Sequence, residues 1–428
     1  MTEQKKTREP LFHLVKRIQI PKWQSWSIRG GTILGGFLFI GLLIFIALGV
    51  DPGTVYKGMF VGAFGSSYST MVLLQETALL LLFALAVTPA FKMKFWNIGA
   101  EGQVLMGAYA TMLCLYYLGG KVNDVLLIFI ALGGGLIGGA IWAVIPALFK
   151  AKWNTNETLF TLMMNYVAIQ VIEYTIKIWA PTSTGKLPTT PFGNLPKIGG
   201  DDFWFCIIVA LVLTAVLFVY LKYSKHGYEI SVVGESENTA RYIGINVKKV
   251  IIRTLIVSGI ICGITGFILV SGIVHTISST MAGGRGFTAI LVSWLAKFNP
   301  LVMILSALLV VFLSRGTAEV MMDNGVTNSF FSEVVTGIIF LLIIGCEFFI
   351  NYKVVFRHRN KAVDAAPTSS EDSSVAANVS VTDEAATDDP AEKTTAETVE
   401  ETVETVAEAA TQEATDEAET DATEEESK

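Results

Sequence analysis

Residues 31–50 read GTILGGFLFIGLLIFIALGV and contain no charged side chain. About 20 apolar residues in a helix cross a hydrocarbon layer of roughly 30 Å. The run is too long, and lies too far into the chain, for a cleavable signal peptide, so we expect it to remain as a membrane span. This stretch places the chain among membrane proteins.

Similar apolar runs recur along the 428 residues, 52% of which are hydrophobic. A soluble protein with one large buried core would instead have charged residues scattered through these runs. The predicted number of membrane spans is eight to ten, because 286–297 is short for a crossing and can pair with 300–314 as a re-entrant segment. The fold class predicted is an all-α polytopic membrane protein with short or broken helices. The spans expected are 31–50, 72–90, 98–119, 125–149, 157–180, 203–221, 250–275, 286–297, 300–314 and 333–350.

The net charge of −7 averages two unlike regions. Residues 362–428 hold 21 acidic residues against two lysines, which leaves 17 acidic and 29 basic residues in 1–361. The tail also lacks aromatic residues and cannot bury enough apolar area to fold alone. We therefore expect three regions: a basic cytoplasmic segment 1–30, a transmembrane domain 31–352, and a cytoplasmic tail 353–428 that is disordered and acidic from about 362.

Basic residues decide the expected orientation, because cytoplasmic loops carry an excess of Lys and Arg. The basic segment 1–30 places the N-terminus in the cytoplasm. Every second connection between the predicted spans then also lies in the cytoplasm, and the 181–202 loop lies outside the cell. The C-terminus is predicted to be cytoplasmic as well. The inside connections carry Lys92 and Lys94, Lys150 and Lys152, the 222–253 region, and the 353–361 cluster.

The run Phe95-Trp96-Asn97-Ile98-Gly99-Ala100-Glu101-Gly102-Gln103 is polar and glycine-rich, yet it lies between predicted spans. Irregular backbone is tolerated at membrane depth only where it is buried in protein or lines a watery cavity, and an intramembrane carboxylate is a functional-site candidate. A second such motif, Ala282–Thr288, is predicted to come from the opposite side. Inverted repeats with broken helices give this arrangement and place a transport site between them. The alternative is that these glycines only pack helices closely.

No enzyme signature is present. Gly185-Lys186 lacks the first glycine and the final Ser or Thr of a phosphate-binding loop. The four cysteines lie in apolar runs without CxxC spacing, and the four histidines do not cluster, so no metal site, disulfide framework or cofactor of this chain is indicated. Nothing indicates a nucleic-acid partner.

The long connection 222–249 holds a second informative segment, Gly234–Ile245. It has acidic residues in its first turn, Arg241 in its last and Gly244 at its end, which predicts a short amphipathic helix. Such a helix, held between two spans, could receive force from a cytoplasmic partner. The alternative is a helix that lies passively on the membrane surface.

These residues resemble the permease subunits of bacterial ATP-binding-cassette importers, in the branch for simple sugars and nucleosides (the branched-chain amino acid and ribose-type permease family). The resemblance covers roughly 70–350 and is nearest to nucleoside permeases. The segments that carry it are Thr77–Leu82 leading into Phe95–Gln103, Asn156–Ala168, Gly234–Ile245, and Gly286–Ile290 running to Asn299-Pro300.

The resemblance implies a bacterial plasma-membrane permease that pairs with a second, paralogous permease, most simply as a heterodimer. A cytoplasmic ATPase would hydrolyse Mg-ATP, and an extracellular lipid-anchored binding protein would deliver the substrate. We expect the substrate path to include Trp96, Asn97, Glu101, Gln103, Phe287 and Thr288, with Glu76, Asn165 and Tyr166 as further candidates. The expected ATPase contact comprises Gly234, Glu235, Ala240, Arg241, Tyr242 and Gly244.

Three alternatives remain open from the sequence. The same machinery could import a simple sugar such as ribose or galactose instead of a nucleoside. An ion- or proton-coupled secondary transporter would need no ATPase, and would leave the Gly234–Ile245 segment without a purpose. A membrane scaffold with no transport role would leave Glu101 and Gln103 unexplained.

Overall fold

The computed structural model describes residues 49–182, 185–199 and 202–323, the segments 12–16 and 352–356, and single positions within 23–46 and 334–345. This part of the chain is built from helices, as predicted. They are α1 (Pro52–Phe64), α2 (Ser67–Lys92), α3 (Ala100–Leu118), α4 (Asp124–Trp153), α5 (Glu157–Trp179), α6 (Phe203–Tyr223), α7 (Lys225–Glu235), α8 (Glu237–Tyr242), α9 (Val247–Ile268, continued by a π-helical turn over Leu269–Val274), α10 (Arg285–Leu295) and α11 (Pro300–Asp323).

Six of the described helices are long and apolar enough to cross a membrane: α2, α4, α5, α6, α9 with its π-helical turn, and α11. Helix α3 coincides with the predicted 98–119 span, but Glu101 and Gln103 in its first two turns lower its mean hydropathy. Helix α10 has only 11 residues, as expected for the short 286–297 run. The predicted spans 31–50 and 333–350 fall largely outside the described residues, as does the predicted tail from 362.

The helices begin where short polar side chains accept from free backbone N–H groups. Asn156 Oδ1 accepts from the Thr158 and Leu159 N–H groups at the start of α5. Ser66 caps α2 in the same way, and Asn123 caps α4. Helix α1 begins with Pro52 directly after Asp51, a residue order that favours a helix start. The predicted span starts fall within five residues of the observed helix starts, whereas α11 continues to Asp323, nine residues beyond the predicted end at 314.

Helices α2 and α9 form the centre of the domain. In each of them 72% of the most apolar 18-residue window is buried within the chain, against 22% in α4 and 28% in α6. The central pair is therefore shielded from lipid by its neighbours, while α4, α5 and α6 present apolar side chains outward. A lipid-facing surface of this kind is what the bilayer requires.

Helices α3, α4 and α9 approach one another so closely that backbone touches backbone. A Cβ atom added at Gly263 would lie 2.3 Å from the Gly135 carbonyl oxygen, and one at Gly139 would lie 2.4 Å from that of Gly259. Small residues allow this contact between membrane helices. Gly135 and Gly139 therefore serve close packing, whereas a Cβ at Gly133 would meet nothing within 4 Å.

Two short strands depart from the all-helical prediction. The segments β1 (Phe12–Lys16) and β2 (Tyr352–Phe356) pair antiparallel, with Phe12 opposite Phe356 and Lys16 opposite Tyr352. An open two-stranded ribbon leaves unpaired backbone groups that hydrocarbon would not tolerate, so it lies outside the membrane core.

Candidate functional site

The polar run 95–103 forms the turn from α2 into α3 and is held from the side by α5. Asn165 Oδ1 accepts from the Gly102 N–H at 2.8 Å, and its Nδ2 donates to the Ile98 carbonyl at 3.0 Å. The Thr161 hydroxyl accepts from the Ile98 N–H at 3.2 Å. Two polar residues one turn apart on α5 thus satisfy the irregular backbone, as membrane burial demands. Asn165 is buried in this role.

Asn97 and Gln103 are fully buried and bond to each other. Gln103 Nε2 donates to Asn97 Oδ1 at 3.0 Å, and Asn97 Nδ2 donates to Gln103 Oε1 at 3.3 Å. Asn97 Nδ2 also donates to the Ser258 hydroxyl, and the Cys262 thiol donates to Gln103 Oε1. The two amides therefore tie the turn to α9. Direct contact of Asn97 or Gln103 with a substrate stays a prediction.

The two sequence motifs meet at Glu101. Its Oε1 accepts from the Gly284 N–H at 2.8 Å, directly before the first turn of α10. Gly283 and Gly284 have φ values of +59° and +69°, a left-handed pair that turns the chain tightly into the helix. A Cβ at Gly286 would lie 2.9 Å from that of Glu101. The glycines of the second motif thus allow the carboxylate to cap a helix from another part of the chain.

A cavity of about 660 Å³ lies between α2, α10 and α11, beside this contact. Of the predicted path residues, Glu76, Phe287 and Thr288 line it, together with the backbone at Gly283 and Gly284. Phe287 is 46% exposed. Apolar walls with a few converging polar groups and a volume in this range are typical of small-molecule sites. Lining residues that the sequence did not indicate are Leu80, Arg285, Leu291, Val310, Val311 and Ser314.

An ion pair borders the same cavity. Arg315 Nε donates to Glu76 Oε2 at 2.7 Å, and Arg315 Nη2 donates to Glu76 Oε1 at 3.0 Å. Both residues lie well inside helices long enough to cross the membrane, α2 and α11. Arg315 was missed from the sequence, although an arginine inside an apolar run is itself a signal of function.

The remaining predicted path residues lie elsewhere. Trp96 packs edge-on against Phe91 and Trp294, with ring centroids 5.6 and 5.4 Å away. This cluster joins the C-terminal end of α10 to the turn after α2. Tyr166 lines a separate groove of about 620 Å³ along the outer face of α5, with Tyr109 and Tyr174. The structure therefore does not bring all of the predicted residues into one site.

The segment predicted as one amphipathic helix over Gly234–Ile245 is two helices. Ser236 is extended, ends α7 and caps α8 through the Thr239 N–H, so Gly234 and Glu235 belong to the preceding helix. The prediction of a single helix was wrong because a serine followed by an acidic residue starts a helix as readily as it continues one. Gly244 ends the segment with φ +84°, as predicted.

This segment combines buried anchors with an exposed edge. Ala240 is buried, and Arg241 pairs with Glu237 at 3.4 Å. A Cβ at Gly234 would lie 2.3 Å from the Lys92 carbonyl oxygen, so α7 touches the end of α2. Glu229 forms an ion pair with Arg253 of α9. Tyr242, in contrast, is 94% exposed.

A polytopic helical domain whose irregular, hydrogen-bonded turns meet beside a half-polar cavity defines a membrane transport protein. Residues 69–344 match the family model for the branched-chain amino acid transport system, permease component, and the chain belongs to this family. The match covers every helix of the cavity and the α7–α8 segment.

Curated relatives agree with this family. The glucose ABC transporter permease protein TsgB13 of Haloferax volcanii is 28% identical over 370 residues, 83% of this chain and 96% of its own length. The guanosine ABC transporter permease protein NupP of Bacillus subtilis is 28% identical over 324 residues, 73% of this chain and 90% of its own. A second guanosine permease of that organism, NupQ, is 26% identical over 217 residues, 48% of this chain and 67% of its own. These relatives are permease components rather than enzymes.

Proposed function

We propose that this chain is the membrane-spanning permease of an ATP-driven importer for nucleosides. The observation that carries the proposal is the cavity between α2, α10 and α11, which combines the aromatic ring of Phe287 with the Thr288 hydroxyl and with Glu76, the partner of Arg315. A nucleoside offers a flat base and a ring of hydroxyls, and these groups match a stacking surface beside hydrogen-bonding side chains. In the proposal, the base stacks on Phe287.

The coupling to ATP hydrolysis would begin at α7 and α8. Their exposed aromatic edge, which includes Tyr228 and Tyr242, suits a cytoplasmic ATPase, where Mg-ATP would bind. A push on α7 would reach α9 through the Glu229–Arg253 pair and reach α2 through Gly234. In the proposal, ATP binding thereby switches the permease between outward-facing and inward-facing states.

The same network would carry the motion to the cavity. Helix α9 holds Asn97 and Gln103 through Ser258 and Cys262, and the turn that they stabilise ends at Glu101. Glu101 in turn caps α10, whose Phe287 and Thr288 line the cavity. Asn97, Gln103 and Asn165 would then position the path rather than touch the substrate. This chain of contacts is contiguous from the ATPase side to the cavity wall.

The partners follow from the same proposal. Two guanosine permeases of Bacillus subtilis, NupP and NupQ, are both similar to this chain, which favours pairing with a second, paralogous permease. A lipid-anchored binding protein on the outer face would deliver the nucleoside. Both ends of this chain would lie in the bacterial cytoplasm.

A simple sugar is the second candidate substrate. TsgB13 is named as a glucose permease, and the Glu76–Arg315 pair can bond a sugar hydroxyl as well as a ribose. Phe287 favours the nucleoside, because it offers a ring for a base to stack on. An ion-coupled carrier is disfavoured, because the matched family is the permease component of a transport system, whereas such a carrier works without further components.

The direct test is uptake in cells that express this chain with its ATPase, its second permease and its binding protein. We expect tritiated guanosine or adenosine to accumulate, and excess unlabelled nucleoside to compete while glucose and ribose do not. Inactivation of the ATPase should stop uptake, whereas an ionophore that collapses the membrane potential at constant ATP should not. Competition by sugar alone would overturn the nucleoside assignment, and uptake without the ATPase would overturn the coupling.

A further inference from the structure

We propose that the Glu76–Arg315 pair forms a recognition site for vicinal hydroxyls, so that the cavity selects ribonucleosides over their deoxy and dideoxy analogues. The inference rests on the proposed function and adds the chemical group that the permease itself recognises, the vicinal diol. It assigns Arg315 to the site and gives Glu76 a specific role.

The pair is placed to meet a solute. Its two side chains are 36% and 32% exposed, and Glu76 lines the cavity together with Phe287 and Thr288. An ion pair that only joined α2 to α11 could be fully enclosed between them. Charged groups at this depth are costly, and they are tolerated where they face a watery cavity.

The hydrogen-bonding capacity of the pair is only partly used. A guanidinium has five N–H donors, and Arg315 gives two of them to Glu76. Each carboxylate oxygen of Glu76 accepts one of these bonds and keeps a further lone pair. Among the described residues, no other side chain is recorded as bonding either group.

The geometry of a vicinal diol fits these free positions. The Arg315 fork takes the facing lone pairs of both Glu76 oxygens, so the free lone pair of Oε1 lies beside the outer N–H of Arg315 Nη2. One hydroxyl can donate to that lone pair and accept from that N–H. The remaining N–H groups of Arg315 can donate to the hydroxyl oxygens, because the planar guanidinium presents its donors in a fixed fork. The diol thus joins the existing ion pair without breaking it.

A site of this kind rejects an analogue without hydroxyls, because that analogue leaves the hydrogen-bonding groups of the ion pair without partners. A nucleoside without its 2′ and 3′ hydroxyls would fill the space and leave the desolvated ion pair without its polar partner. Sites built to bond a hydroxyl reject the analogue that lacks it far more strongly than apolar pockets reject a size change. The base stacked on Phe287 would bind in either case.

The test compares preference ratios, not absolute uptake. Cells carrying the complete transporter take up tritiated guanosine or adenosine, with the unlabelled ribonucleoside, its 2′-deoxy form and its 2′,3′-dideoxy form as competitors. The variants are the neutral pair Glu76→Gln/Arg315→Gln, and Arg315→Lys, which keeps the charge but loses the fork. Glu173→Gln, a carboxylate of α5 outside the helices that border the cavity, is the matched control. The binding protein is the same throughout, so its own selectivity cancels between variants.

We expect the neutral pair and Arg315→Lys to lower the preference for the ribonucleoside over the dideoxy analogue at least fivefold, and the control to leave it unchanged. An unchanged ratio in Arg315→Lys, or in the neutral pair where that variant assembles, would overturn the proposal and leave a structural ion pair. Absence of nucleoside uptake by the unaltered transporter would instead overturn the proposed function.

Discussion

At the scale of single residues, Glu101 has two carboxylate oxygens in different surroundings. One accepts from the Gly284 N–H, and the other is buried without a hydrogen-bond partner among the described residues. A negative group at a helix N-terminus is favourable, because it meets free N–H groups and the positive end of the dipole. The residue therefore fixes the position of α10, which carries Phe287 into the cavity.

We expect Glu101→Ala to lower uptake by roughly tenfold to a hundredfold, because a bond to a charged group contributes about 1.5–3 kcal/mol. Glu101→Gln should retain more activity, since an amide oxygen can still accept from Gly284. Uptake rates normalised to the amount of assembled protein in the membrane measure the difference. Wild-type uptake by the alanine variant would show that this cap does not contribute to transport.

The residue scale also shows which contacts of the polar run the sequence could not indicate. Asn97 and Gln103 are a polar pair at membrane depth, and sequence alone suggested that they meet the substrate. The structure satisfies each amide with the other and with α9. Complementary donors and acceptors six residues apart can close on themselves, and no local pattern reveals that they do.

At the scale of elements, α10 is a short helix between two unusual turns. It begins after the left-handed glycines Gly283 and Gly284, and it ends before Lys297 and Phe298, which have φ values of +52° and +58°. Side chains rarely adopt that conformation, and it costs energy at each position. Ser293 lies against α2 with its hydroxyl 3.0 Å from the Ala84 carbonyl oxygen.

The contact between α4 and α9 gives a test with an internal control on one helix. Gly139→Ala should destabilise the protein by about 1–3 kcal/mol, because the new methyl group would overlap the Gly259 carbonyl oxygen. Gly133→Ala should be neutral or stabilise by up to about 1 kcal/mol, because space is open there and alanine favours a helix. Thermal unfolding in one detergent measures both variants. Equal effects at the two positions would contradict the packing described here.

The break at Ser236 creates the exposed edge of α8, and Tyr242 is the residue to test there. Tyr242→Ala should weaken co-purification of the ATPase and lower uptake severalfold, because exposed aromatic residues are frequent anchors of interfaces. The thermal stability of the permease should not change, since the ring is almost fully exposed. Tyr68→Ala, at the far end of α2, is the control. If both variants bind the ATPase equally well, the docking surface lies elsewhere.

At the scale of the whole molecule, the paired strands bring two distant parts of the chain together. Residues 12–16 and 352–356 pair in register although the predicted membrane spans lie between them. A ribbon of this kind would hold both ends on one side of the membrane, and that arrangement stays a prediction. The assignment of that side to the cytoplasm follows from the basic residues alone and stays a prediction.

Reporter fusions can test this arrangement. A phosphatase, active only outside, and a fluorescent protein, active only inside, would be joined in turn after residue 10 and after residue 361. We expect both ends to give fluorescence and no phosphatase activity, because the strands share a side and the nearby lysines and arginines hold it in the cytoplasm. Opposite results at the two ends would mean that the strand pair does not form in the membrane.

Much of the helical fold followed from hydropathy, because each long apolar run has one low-energy state in a bilayer. Within the described residues, every predicted span coincides with a helix. Helix α1 was missed because its 13 residues are too few for a membrane span. The cavity was predicted only in part, because Glu76 and Arg315 are 239 positions apart and only tertiary structure makes them neighbours.

The glycine contact of α3, α4 and α9 has a mechanical consequence. Where main chains touch, neither helix can slide or rotate without driving carbonyl oxygens into the opposite backbone, so these three helices behave as one rigid unit. Any motion that opens and closes a passage must then move other helices relative to this unit. The helices that border the cavity, α2, α10 and α11, lie outside the glycine contact and can move against it.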